Sequence, residues 1–165
     1  MTAGIKEFEF RVGSNWSAAV CWALAEYPRS RADLVRCLSS DDPEVRSAAV
    51  AALNEADDAS AHDEVLALIE DSNHEVQCEV LEYLKDMGRP SDAAQIFAFL
   101  ERGQHLFVAS LALRSVIDDC GPTVDEEESA IEQAHFIRQW RGFLESRGLL
   151  AQQIGQVGLP GSSSR

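Results

Sequence analysis

The sequence predicts an all-α solenoid of about four antiparallel helix pairs, and three observations predict it. The segment 42–46, DPEVR, recurs as segment 73–77, NHEVQ, at an offset of 31 residues. Apolar positions of the first helices repeat at similar spacing, at Trp16, Val45, Val76 and Val108. Those of the second helices do the same, at Leu34, Val65 and Ile96. A period in this range is typical of stacked helical units that bury a continuous core between neighbours.

The chain before these repeats divides into an arm and a first helix pair. Residues 1–14 alternate apolar and polar side chains only in part. This pattern suits either a short strand or an extended arm laid over the first helices. Residues 15–27 carry apolar side chains at i, i+4 and i+8 from Trp16, and Pro28 ends this predicted helix. Residues 30–39 form the predicted second helix of the pair.

Two further pairs follow, with clear start and stop signals. Asp42 is expected to cap a helix that runs to about residue 55, with a proline in its first turn where a missing N–H costs nothing. Its partner is predicted over residues 61–70. The next helix starts near Asn73 and ends at Gly88, and its partner is predicted over residues 91–100.

The fourth pair is predicted to close the stack. Its first helix covers residues 104–118, and its second runs from about residue 123 to 147. This last helix opens with four acidic residues, where the helix dipole favours negative charge, and its aromatic content suits a terminal cap. We therefore expect one solenoid domain over residues 15–150, followed by a flexible tail over residues 151–165.

Charge restricts the class of partner. The chain has 14 basic and 28 acidic residues, for a formal net charge of −14, and residues 41–102 alone hold four bases and sixteen acids. A nucleic-acid binder needs a basic surface that displaces counterions from phosphates, so DNA and RNA are disfavoured, and an acidic membrane surface is disfavoured likewise. The charge favours a basic protein partner, although an acidic surface also serves solubility alone.

The sequence favours a cytoplasmic protein. It has four cysteines: Cys21, Cys37, Cys78 and Cys120. They form neither a CxxC pair nor a tight framework, which predicts reduced thiols. The N-terminus lacks the apolar run of a signal peptide. No stretch approaches the roughly 18 apolar residues of a membrane span.

The segment that begins at Asp42 resembles HEAT repeats. It reads D-P-E-V-R-x-x-A-x-x-A-L from Asp42 through Arg46 to Leu53, and is most similar to the short bacterial kind also found in phycobilin lyase subunits. The next copy departs from the pattern, with Gln77 in place of the arginine and Val80 in place of the alanine. The resemblance implies a right-handed superhelix in which the aspartate and arginine mainly fix the turns between repeats.

The resemblance also implies a binding surface. The second helices of such a solenoid line an inner concave surface, which usually binds a protein or peptide. By repeat phase, the polar positions expected on this mostly acidic surface are Asp33, Arg36, Asp63, Glu64, Asp92 and Gln95. Ala67 and Phe99 are expected to supply the apolar centre that interfaces need. The alternative for each of these residues is an ordinary exposed side chain.

The sequence contains no recognisable catalytic or metal-binding set. Deoxyhypusine hydroxylase, a HEAT-like enzyme, holds two irons through several His-Glu pairs on successive repeats, whereas only His74-Glu75 has that form here. His74 and Cys78 stand at i, i+4, but two side chains are too few for a metal site, and His74 is expected to serve a helix start. His62 and His135 are expected to be isolated on helices. We therefore expect neither enzyme activity nor a cofactor.

These inferences favour a small bacterial protein that binds a basic protein through an acidic face. A concrete version is an immunity protein or antitoxin that occludes the active site of a basic toxin, with capture speeded by electrostatic steering. Two alternatives stay open at this point. One is an adaptor or assembly factor that binds a subunit of a protein complex, and the other is a lyase or enzyme subunit resembling the phycobilin lyases. The sequence does not indicate the oligomeric state.

Overall fold

The computed structural model describes residues 31–118, 121–122 and 130–150. Several predictions lie outside these residues: the arm over residues 1–14, the helix over residues 15–27, the acidic start of the last helix and the tail over residues 151–165. Within the described ranges, all regular structure is helical.

Seven α-helices occur in the described part of the chain. They are α1 (Arg31–Cys37), α2 (Pro43–Glu55), α3 (His62–Leu66), α4 (His74–Met87), α5 (Ala93–Leu100), α6 (Leu106–Val116) and α7 (Ala130–Ser146). Helix α3 is shorter than predicted, because the chain tightens into a 3-10 turn over Ala67–Glu70. Shorter 3-10 turns at Ala59–Ala61 and Pro90–Asp92 lead into α3 and α5.

The helices pack in two layers. Helices α2, α4 and α6 lie side by side and form the first layer. On the other side, the 3-10 turn that follows α3 contacts α5, and α5 contacts α7, so that α3, α5 and α7 form the second layer. Helix α1 packs against α2, and its positions precede those of the second layer by the 31-residue register, so we count it with that layer. This arrangement confirms the predicted all-α solenoid of helix pairs.

Helices α2 and α4 begin at the predicted caps. The side chain of Asp42 accepts a hydrogen bond from the backbone N–H of Glu44 at 3.0 Å. Asn73, one repeat later, accepts from the N–H of Glu75 at 2.8 Å. Each cap satisfies a backbone donor that the first turn of a helix leaves without a partner. The two first helices therefore start at equivalent positions, which keeps the repeats in register.

The core is one continuous cluster along the junction of the two layers. The predicted inward positions of α2 and α4 are buried: Val45, Ala49, Leu53, Val76, Val80 and Leu84. The cluster extends into α7 through Phe136, Trp140 and Leu144. Trp140 has no exposed surface, and two neighbouring aromatic rings meet it edge-on. Helix α7 thus covers apolar surface of the preceding pair, as expected of the last helix in the stack.

Candidate protein-binding surface

Exposed positions of the second layer recur at the repeat spacing. One row is Arg36, Ala67 and Ala98, and the next is Asp33, Glu64 and Gln95, with 31 residues between successive members. All six side chains are exposed or half-exposed, and Asp63 is exposed beside them. We call these seven residues the second-layer face. It corresponds to the predicted concave surface, and small side chains at Ala67 and Ala98 alternate on it with polar ones.

Two of the predicted binding residues are buried, and the expectation that they are exposed is wrong. Asp92 is 3% exposed. Its carboxylate accepts a hydrogen bond from the backbone N–H of Arg89 and forms another with Nε2 of His62, both at 2.7 Å. Asp92 therefore holds the turn before α5 and has no surface to offer a partner.

Phe99 is fully buried and cannot be the exposed apolar centre of the face. Its ring stacks on the ring of His105, with centroids 5.9 Å apart. The repeat phase explains its burial, because Cys37 and Leu68 at the equivalent positions are buried and half-buried. Phe99 therefore lies on the inward side of its helix, opposite to the predicted side.

The acids of the second layer are largely compensated by arginines. Arg36 pairs with Asp33 at 2.9 Å, and Arg89 pairs with Asp63 at 3.2 Å. Glu70 and Glu101 also form ion pairs, with Arg102 and Arg141 respectively. The hydrogen bond from Arg102 lowers the pKa of Glu70 below its usual value. The predicted acidic groove is therefore a surface of mixed charge. Within the described residues, Glu64 stands on it without an ion-pair partner.

The first layer carries more of the uncompensated negative charge. Carboxylates follow one side of α4 at helical spacing, at Glu75, Glu79, Glu82 and Asp86. Burial, and then the charges of Glu82 and Glu75, raise the pKa of Glu79. This crowding shows that the carboxylates are close to one another. Counting charges along the chain does not locate this acidic side of α4. The i, i+4, i+7, i+11 spacing of the carboxylates does.

His62 is not isolated, contrary to expectation. The ring is 2% exposed and lies between two carboxylates, with Nδ1 2.9 Å from Asp63 and Nε2 2.7 Å from Asp92. Both ring nitrogens therefore lie within hydrogen-bond distance of a carboxylate oxygen. Because Asp92 lies 30 residues after His62, only the repeat register connects them in the sequence.

The other histidines do not assemble a metal centre in the described part of the chain. His74 begins α4, as expected, and its ring lies 3.8 Å from the ring of His105. Among the described residues, no group of three or more His, Cys, Asp or Glu side chains is arranged to hold a metal ion. Cys37 and Cys78 form no disulfide among the described residues, and Cys21 and Cys120 lie outside them.

The stacked pairs and their repeating surface define a helical-repeat protein of the α-solenoid class. A family model for HEAT repeats matches residues 31–117, which is more than half of the chain. The chain therefore belongs to the HEAT-repeat family, whose members generally mediate protein–protein interactions. No curated protein and no solved structure matches it significantly. Within the described residues, no helix combines the length and apolar character needed to span a membrane.

Proposed function

We propose that the chain is a non-enzymatic binding module that takes a basic protein on its second-layer face. The observation that carries this proposal is the pair of exposed rows on that face. Ala67 and Ala98 leave room for a partner's side chains to approach the helices, while Glu64 and Gln95 border them with polar groups. The large aromatic or arginine side chains that interfaces favour would therefore come from the partner.

Charge acts on the encounter at longer range. A net charge of −14 attracts a basic partner from a distance and raises its association rate, an effect that salt weakens. At contact, the exposed Asp33–Arg36 and Asp63–Arg89 pairs offer groups that re-pair easily, because exposed ion pairs are screened by solvent and contribute little to stability. The partner's bases can therefore replace Arg36 and Arg89 at little cost.

One concrete role is that of a cytoplasmic immunity protein or antitoxin. Occlusion of a basic toxin requires a compact acidic binder and no catalytic step, which agrees with the charge and the size of this chain. The role predicts that co-expression with such a toxin restores growth. If the bound protein is instead a housekeeping complex subunit that does no harm when expressed alone, the chain is an adaptor.

Two charge reversals test which face binds. A partner is first captured with the full chain and identified by mass spectrometry, and its affinity is then measured with Glu64→Lys and Glu44→Lys. Both substitutions change net charge equally, but Glu44 is exposed on the first layer. We expect Glu64→Lys to weaken binding at least about tenfold and Glu44→Lys about twofold, since a contact charge matters more than a distant one. Equal effects would refute the assignment of the face, and no effect would refute a basic partner.

A further inference from the structure

A surface cavity opens on the first layer, away from the second-layer face. It has a volume of about 530 Å³ and lies between α4 and α6. Its lining residues are Lys85, Asp86, Leu111, Arg114, Ser115 and Asp118. The hydroxyl of Ser115 donates to the backbone carbonyl of Lys85, which joins the two helices beside the cavity. The space is large enough to accept a side chain of a partner.

An apolar strip extends from this cavity. Phe107 is 37% exposed, and no other large hydrophobic residue of the described chain is classed as exposed. It precedes Leu111 by one helical turn on α6, so the two side chains lie on the same side of the helix. Since Leu111 lines the cavity, Phe107 lies one helical turn from the cavity wall. Exposed apolar surface with a polar rim is characteristic of binding sites.

The surroundings of this strip are acidic. Glu75, Glu79 and Glu82 lie on α4, and Asp86 and Asp118 line the cavity, so five carboxylates face two bases, Lys85 and Arg114. Lys85 already pairs with Glu82. Glu79 is half-buried among like charges, which raises its pKa and shows that a cation beside it would be stabilising.

We propose that the strip of Phe107 and Leu111, together with the cavity, is a second docking site for a basic amphipathic segment of a protein. An apolar side chain of the segment enters the cavity against Leu111, and its lysines or arginines approach Glu75, Glu79 and Asp86. Charge complementarity selects this occupant. A second copy of the chain would bring a net charge of −14 against an acidic rim. The site lies on the opposite layer from the second-layer face and is independent of binding there.

The test uses the full ¹⁵N-labelled chain and two synthetic helical peptides. One peptide is amphipathic and composed of lysine and leucine, and the other has serine at every leucine position. We expect the first to shift the amide resonances of Lys85, Leu111 and Ser115 and to bind about tenfold more tightly than the second. Phe107→Ser should weaken binding of the first peptide about tenfold. It should leave binding of the second peptide unchanged, because that peptide has no leucine to contact Phe107.

Matched variants separate this site from the other face. Ala98→Ser, an exposed substitution on the second layer, should leave both peptides unaffected, and circular dichroism checks that each variant is folded. Shifts confined to Glu64, Gln95 and Ala98, or equal affinity for the two peptides, would overturn the proposal. So would self-association that Phe107→Ser abolishes, because the occupant would then be a second copy. None of these outcomes bears on the Glu64→Lys comparison, which tests the second-layer face separately.

Discussion

Two successive interfaces in this solenoid are held by different chemistry. Between the pair α2–α3 and the pair α4–α5, carboxylates are bound: Arg46 of α2 binds Asp71, which lies in the link to α4, and His62 of α3 binds Asp92. Between α4–α5 and α6–α7, the ring of His105 contacts two other rings, those of His74 and Phe99, and the ion pair of Arg141 with Glu101 lies at the surface. We call these the charged interface and the ring interface. Two neighbouring repeats can thus share one geometry while depending on different interactions.

The same repeat position shows how the change occurs. Arg46 donates to the carbonyl of Ser40 at 2.7 Å, and Gln77, its equivalent, donates to the carbonyl of Asp71 at 2.6 Å. Each bond reaches six residues back and closes the turn. Arg46 also binds both carboxylate oxygens of Asp71 at 2.8 Å. The position equivalent to Asp71 in the next repeat is Arg102, which would repel an arginine at position 77.

The largest expected effect is at the buried end of the charged interface. Asp92→Ala leaves His62 buried beside an empty acceptor position and removes the partner of the Arg89 N–H. Each buried polar group that is left without its partner costs about 1–3 kcal/mol, and urea denaturation measures the free energy of unfolding. Asp33→Ala, which removes one member of an exposed pair, serves as the control and should cost about 1 kcal/mol or less. Similar losses in the two variants would show that burial of the His62 pair contributes nothing.

The next effect tests the difference between Arg46 and Gln77. Arg46→Gln keeps the donor to the Ser40 carbonyl and removes the contact with Asp71, whose side chain is only 7% exposed. Hydrogen bonds to charged groups contribute about 1.5–3 kcal/mol, and we expect a loss of this size. Gln77→Ala removes one neutral hydrogen bond and should cost about 0.5–1.5 kcal/mol. If both variants lose the same stability, the contact with Asp71 is not what distinguishes the two turns.

Close packing at the ring interface is tested at Gly88. A β-carbon added there would lie 2.2 Å from the carbonyl oxygen of Leu84 and 2.5 Å from Cγ1 of Val116. Gly88→Ala therefore forces α4 and α6 apart, at a cost of about 1–3 kcal/mol in thermal or urea denaturation. Gly142→Ala is the matched control, because nothing lies within 4 Å of its added carbon in exposed helix α7. It should be neutral or stabilise by up to about 1 kcal/mol.

The smallest expected effect is a difference in pH dependence. Burial, and then the neighbouring His74, lower the pKa of His105 below its ordinary value of 6.5. The unfolded chain therefore binds this proton more readily, and stability falls as pH decreases through 6.5. His105→Asn, which tolerates the left-handed backbone at this position, should show a shallower decline between pH 7 and 5. If stability falls with pH equally in both proteins, protonation of His105 does not affect the stability of the ring interface.

The charged interface responds in a different pH range. The hydrogen bond from Arg46 lowers the pKa of Asp71 below its ordinary value of 3.8. Its contribution is therefore present above that value and is lost as pH falls below it. Acid titration of the Arg46→Gln variant should show less of this loss than the parent chain below about pH 4. Lowering the pH thus weakens the ring interface first and the Arg46–Asp71 pair later.

The architecture could be predicted from the sequence because the buried positions of both layers recur at the repeat spacing. Asp42 and Asn73 mark helix starts through local chemistry, and the 31-residue register extends these starts to their neighbours. The register failed to predict the surface where helical phase was misjudged. Phe99 lies in phase with Cys37 and Leu68 on the inward side, and a 3-10 turn at Ala67–Glu70 rotates side chains differently from an α-helix.

The pairing of charges depends on the folded chain. Glu70 meets Arg102 across 32 residues, and Glu101 meets Arg141 across 40. The first spacing is close to the repeat period and was open to prediction from the register. The second crosses into α7, where the repeat is irregular, so no period indicates it. For this reason the composition predicts the sign of the net charge. It does not predict which layer carries the acids that lack an arginine or lysine partner.

The Arg46–Asp71 pair also makes the solenoid extendable. Both partners belong to one 31-residue segment, residues 41–71, and the other acceptors of Arg46 are the carbonyl just before that segment and the carbonyl of Asp41 within it. If the segment were duplicated in place, the copied arginine would find the carbonyl of Asp71 six residues back, where Gln77 binds now. It would also carry its own aspartate forward. Duplication of this segment can therefore lengthen the solenoid by whole units, because each added unit reuses the same contacts.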